Sequence, residues 1–142
     1  MLAIELRRQD GAVLCERLCV AERPWSRMRG LLGRADLPRG EGLLLRPAGS
    51  VHTAFMRFAI DVVFLDRELR VVHIAHSVPP WRAASKRGAK VVVELAAGEC
   101  SRRDLQIGDA LQLAQRDDQS SRVIAQRSWS RQRPPILRYR GE

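Results

Sequence analysis

The sequence predicts a mainly β domain, an antiparallel sandwich or jelly-roll-like barrel with one or two short helices, and three observations carry that prediction. Apolar residues recur with period two, as in Leu2, Ile4 and Leu6 or in Val91, Val93 and Leu95. The patterned runs are short and are bounded by Gly, Pro and Asp turn formers. Several connections are too brief for parallel pairing: the gap from Leu65 to Leu69 falls far below the roughly dozen residues of a crossover.

Leu2, Ile4 and Leu6 form the first strand of a hairpin, Asp10-Gly11 supplies the positive φ of a tight turn, and Leu14, Leu18 and Val20 continue on the returning strand. Glu16 interrupts that apolar face and implies a bulge or an open strand edge. From Arg23 the period changes. Pro24 suits a first helical position, Trp25, Met28 and Leu32 fall at helical spacing, and Gly33 closes the element. Arg23, Arg27 and Arg34 form its solvated side, and Arg29 is the member of the helix assigned a use. A loop over 37–42 follows. The candidate strands are then 43–46, 51–58, 60–65, 69–74 and 91–95, with a long loop over 79–88, a helical turn within 98–105 and a last strand at 110–113.

The chain has 142 residues, 45% of them apolar, the usual size of one domain with one core. Periodicity ends after the last strand. Residues 1–114 therefore read as a compact β domain, and 115–142, rich in Arg, Gln and Ser and broken by Pro134-Pro135, as a basic flexible tail. No run approaches the roughly 20 uncharged apolar residues of a membrane span, and the first residues lack the apolar segment of an export signal. A soluble, cytoplasmic monomer is expected. Integral membrane proteins, collagen-like chains and disulfide-dense scaffolds are excluded. Cys15, Cys19 and Cys100 are an odd set, and two cysteines four apart on a strand sit about 13 Å from one another, beyond disulfide reach.

Lys+Arg 25 against Asp+Glu 16 gives a net charge of +9, which suits a polyanion partner. Of the 25 basic residues, however, all but Lys86 and Lys90 are arginines, a bias that a GC-rich genome can produce with no binding role. Nucleic-acid association through the Arg-rich tail is thus an alternative rather than the leading reading.

The segment 51–66 places polar groups inside apolar strands. If 51–58 is extended, His52 and Met56 share a face about 13 Å apart, so they line a groove or the strand bends. Asp61 opens the buried-type run Val62-Val63-Phe64-Leu65, where a carboxylate must be hydrogen-bonded, paired or protonated. It is a general acid or base, a ligand anchor, or a cap on backbone N–H groups. Glu94 poses the same question within Val91-Val92-Val93-Glu94-Leu95, its bland role being the outward side of a sheet. His73 and His76 point to opposite faces. No metal-ligand spacing, serine-nucleophile elbow or phosphate loop is present, and no cofactor or metal is implied.

Arg29-Gly30-Leu31-Leu32-Gly33-Arg34, Gly42-Leu43-Leu44-Leu45, Phe55-Met56-Arg57 with 60–66, Val93-Glu94-Leu95-Ala96-Ala97-Gly98 and Gly108-Asp109 form an ordered set. That set resembles the small prokaryotic family called domain of unknown function 192. The resemblance implies a compact β domain with no established activity, and it carries Met56, Arg57, Asp61 and Glu94 as matching positions of unassigned role. The expected function is a non-catalytic ligand-binding or accessory module for a small ligand or a protein partner. Its groove is lined by His52, Met56, Arg57 and Asp61, with Arg29 and Glu94 contributing. The alternative is an acid/base or metal-assisted enzyme using Asp61, Glu94 and His52.

Overall fold

The computed structural model describes residues 4–21 and 35–115. The expected helix from Pro24 to Gly33, with Arg29, and the basic tail lie outside the described residues. The strands are β1 (Ile4–Arg8), β2 (Val13–Ala21), β3 (Glu41–Leu45), β4 (Ser50–His52), β5 (Ile60–Leu65), β6 (Val71–Val78), β7 (Ala83–Ser85), β8 (Val91–Ala96) and β9 (Leu111–Gln115), with one short helix, α1 (Glu99–Arg102), before β9. Seven strands form one sheet in the order β6-β5-β8-β3-β2-β1-β9, and β4 pairs β7 in a separate ribbon.

The β1–β2 hairpin turns where expected. Gly11 has φ 91, and the Asp10 carboxylate accepts the Ala12 N–H at 3.0 Å. The bulge inferred from Glu16 is present: Ile4 faces Leu18 but Leu6 faces Cys15, so β2 carries an extra residue there. Glu16 is thereby free to accept Arg103 Nη2 at 2.8 Å.

Two features depart from the all-antiparallel expectation. β2 and β3 pair in parallel, from Arg17↔Glu41 to Ala21↔Leu45, and the connection between them is long enough for the crossover that parallel pairing needs. The sheet also curls without closing into a barrel, its outermost strands β6 and β9 being joined at their ends by the isolated bridge Arg70↔Ala110 and by backbone bonds such as Val71 N–H to the Asp109 carbonyl at 2.9 Å. Two of the expected elements differ as well. The strand over 51–58 stops at His52 and enters a turn, with the Met56 N–H donating to the Thr53 carbonyl at 3.1 Å. The loop over 79–88 contains β7, which pairs with β4 through Val51↔Ala84.

β5 and β8 are buried at every position, which is why their sequences are apolar at both parities. On the first side of the sheet, Val63, Leu65, Val93 and Leu95 pack with Leu6, Leu14 and Leu18 and with Cys100 and Leu105 around α1. On the second side, Leu43, Ile60, Val62, Phe64 and Val92 pack under Val51, Met56, Val78 and Ala89. The β4–β7 ribbon and its loops thus roof the second side. Each fully buried Val, Leu or Phe contributes about 1.5–3 kcal/mol, so both layers stabilise the fold.

Candidate functional site

The central sheet divides the residues predicted to act together. Asp61 alternates with Val63 and Leu65 and therefore faces the first side. Its carboxylate is fully buried and accepts three backbone N–H groups, from Ser77 at 2.8 Å, Gly98 at 3.1 Å and Cys100 at 3.0 Å. Ser77 lies at a bulge of β6, where Ile60↔Val78 is followed by Val62↔Ala75, and its φ is 48. Gly98 and Cys100 open α1. Asp61 therefore ties a strained strand and a helix start to β5, and burial together with this carboxylate pushes the Cys100 thiol well above its ordinary value.

Glu94 alternates with Val92 and Ala96 and faces the second side, paired across the sheet with Leu43 and Val62. The outward side that the sequence suggests for it is covered by the roof. Its residue is 5% exposed, and desolvation raises its pKa from 4.5 to about 7. The other buried acids are satisfied: Glu5 by Arg7, Asp61 by backbone, and Glu99 by Arg102 at 2.6 Å and Arg103 at 3.3 Å. Among the described residues no group donates to the Glu94 carboxylate. Every sealed side-chain polar atom described has a partner, so the Glu94 oxygens must retain a path to the surface.

Thr53 organises the roof. Fully buried, its hydroxyl contacts the Pro79 carbonyl at 2.6 Å and accepts the Arg82 N–H at 2.8 Å, and its carbonyl accepts the Trp81 N–H at 3.0 Å. This staple holds Phe55 and Trp81 edge to face with centroids 4.6 Å apart, 71% and 60% exposed, at φ 65 and 66. Positive φ at bulky residues costs about 1–3 kcal/mol each and clusters at functional sites. The sequence alone assigns no site role to Thr53, Phe55 or Trp81, although Phe55 stands in the block Phe55-Met56-Arg57. The signal available for them is an isolated aromatic on each side of turn formers, Pro79-Pro80 before Trp81 and Thr53-Ala54 before Phe55.

Met56 is buried in the second-side cluster, so it shares that side with Glu94, whereas His52 and Arg57 are exposed in the roof. The turn at Thr53 separates His52 from Met56, so no extended groove runs between them. His73 packs near Phe64, ring centroids 5.9 Å apart, and His76 is exposed. Among the described residues no three His, Cys, Asp or Glu side chains cluster as metal ligands.

These features define a small, mainly β domain built on one curled mixed sheet, roofed on one side and carrying an unpaired buried carboxylate beneath the roof. The chain belongs to the family DUF192, described as Uncharacterized ACR, which it matches over residues 5–113. It is 29% identical over 121 residues to a UPF0127 protein of Thermococcus sibiricus, covering 82% of this chain and 78% of that one. A UPF0127 protein of Pyrococcus furiosus is 42% identical over 64 residues, 44% of this chain and 54% of the relative. Two solved structures share the fold. A Novosphingobium aromaticivorans protein of unknown function matches with TM-score 0.67 at 21% identity, over 78% of this chain and 83% of its own. A Sinorhizobium meliloti protein provisionally described as a transcription regulator matches with TM-score 0.69 at 20% identity, over 78% of this chain and 92% of its own. No helix among the described residues is long and apolar enough to cross a membrane.

Proposed function

We propose that this chain is a non-catalytic binding module that takes a small ligand on the second side of its sheet, at Glu94 beneath the Thr53-stapled roof. The observation that carries the reading is the Glu94 carboxylate, desolvated by the second-side packing and with no donor among the described residues yet still open to the surface, a state that leaves it available to an incoming donor. Phe55 and Trp81 support it as a strained, exposed aromatic pair on the same side, suited to the flat or apolar part of a ligand. The ligand class is then a small molecule with a hydrogen-bond donor or cationic group for Glu94 and an apolar body for the aromatics. Exposed His52 and Arg57 flank the roof, and Met56 gives the second side a compliant wall.

Acid/base catalysis by Asp61 with Glu94 is the weaker reading. The two carboxylates lie on opposite sides of the sheet, and Asp61 is occupied by three N–H groups. The three cysteines are free, Cys15 and Cys100 being buried, which supports a cytoplasmic, reducing setting.

The test is an amide-shift titration of the full chain with a panel of small aromatic amines. Binders should move the Glu94 amide and the Trp81 indole together, and Glu94→Gln should weaken them about tenfold, near 1.4 kcal/mol. Binders that move neither group, or that bind Glu94→Gln with unchanged affinity, would sink the reading.

A further inference from the structure

The ends of three neighbouring strands carry a second site. β8 lies between β3 and β5, so Arg46 just beyond β3, Lys90 just before β8 and Arg67 just beyond β5 emerge side by side at one end of the sheet. Adjacent strands are about 4.8 Å apart, so the three strand ends that lead to these residues lie across roughly 10 Å. They line a cleft of about 470 Å³, with Pro47 and Val91 as its apolar wall. The backbone there is fixed, since the Lys90 N–H donates to the Leu65 carbonyl at 2.8 Å and the Ala48 N–H to the Lys90 carbonyl at 2.9 Å.

Among the described residues no carboxylate lines the cleft. The nearest acids in sequence are Asp66 and Glu68, and an Asp66 oxygen accepts the N–H groups of Glu68 and Arg70, each at 2.9 Å, within its own turn. Arg46 and Pro47 have interactions of their own, and Arg67 and Lys90 are the cations the cleft leaves to a ligand. Both are exposed, and among the described residues neither is held in an ion pair. Like charges brought together without a counter-charge repel, and a bound anion relieves that repulsion.

We propose that this cleft binds a small phosphorylated anion. The two exposed cations call for more than one negative charge, the Arg67 guanidinium fork matches phosphate oxygens, and the Lys90 ammonium adds a compact charge. The volume admits a phosphate with an attached apolar group resting on Pro47 and Val91. The site is distinct from Glu94, which faces the second side of the sheet from the middle of β8.

Calorimetric and amide-shift titration of the full chain with pyrophosphate, inorganic phosphate and citrate tests this. Pyrophosphate should bind saturably, weaken with salt, and shift the amides of Arg67, Lys90 and Val91. The double variant Arg67→Ala/Lys90→Ala should lose at least about tenfold in affinity. Arg17→Ala/Arg39→Ala, which removes the same charge elsewhere, and Glu94→Gln should bind as the parent does. Equal loss in the charge-matched control, citrate binding as tightly as pyrophosphate, or shifts that avoid these amides would each overturn the proposal. Both substituted positions are exposed, and unchanged amide spectra elsewhere will verify that the variant is folded.

Discussion

Replacing Asp61 is expected to damage the fold far more than a surface acid would. In Asp61→Ala the N–H groups of Ser77, Gly98 and Cys100 all lose their acceptor, Cys100 in a buried hydrogen bond and Ser77 and Gly98 in part-buried ones. A buried donor left unsatisfied costs about 1–3 kcal/mol, and with the Ser77 and Gly98 donors only part-buried the total loss is about 3 kcal/mol. That is a large share of a domain's usual stability of about 5–15 kcal/mol. Asp61→Asn keeps one acceptor oxygen but turns an NH2 group toward at least one N–H, with an expected cost of about 2–3 kcal/mol. Urea unfolding gives both values. Amide hydrogen exchange should localise the damage, with protection lost first at Ser77, Gly98 and Cys100 because the β6 bulge and the start of α1 come loose together. If Asp61→Asn unfolded within about 0.5 kcal/mol of the parent, the three hydrogen bonds would not be holding these elements, and the structural role derived for Asp61 would be wrong.

Two further outcomes follow from the same packing. The folded-state pKa of Glu94 lies above its ordinary value, so the folded protein holds that proton more tightly, and stability from this group falls as pH rises from about 4.5 to about 7 and then levels. The span corresponds to about 3 kcal/mol, and Glu94→Gln should remove that part of the stability–pH profile in urea melts; matching profiles for the two proteins would contradict the buried placement. Gly42→Ala would set a Cβ at 2.7 Å from Leu95 Cδ2, 3.0 Å from Cys15 Sγ and 3.1 Å from the Glu94 carbonyl. Overpacking of this kind costs about 1–3 kcal/mol, and a neutral change in the unfolding midpoint would show that β3 and β8 separate easily.

The period-two runs and turn residues were enough to locate β1, β2, β5, β8 and α1, because alternation and Gly or Pro punctuation are local properties of the chain. The family was legible in the same way, as an ordered set of short blocks. The Asp10-Gly11 turn and the bulge at Glu16 also follow from neighbouring residues alone. The strand proposed over 51–58 failed because Phe55 and Met56 are apolar for different reasons, one exposed in a strained turn and one buried under the roof. β7 escaped notice because Ala83-Ala84-Ser85 carries no strand signal of its own and is strand only through its pairing with β4.

What the chain determines by itself is where strands can form, that the domain is mainly β, and that Asp61 and Glu94 are polar groups needing a physical explanation. Which carboxylate is satisfied was decided by tertiary structure. Asp61 meets donors sixteen and more residues away in sequence, on β6 and α1, while Glu94, on the neighbouring strand, faces the opposite side where the roof offers it none. The cluster of Arg46, Arg67 and Lys90 likewise exists only because β8 inserts between β3 and β5, and the parallel β2–β3 pair only because the long connection lets the chain cross over. Side-chain alternation along a strand is a local rule; which element covers each side is set by contacts that close over long stretches of chain.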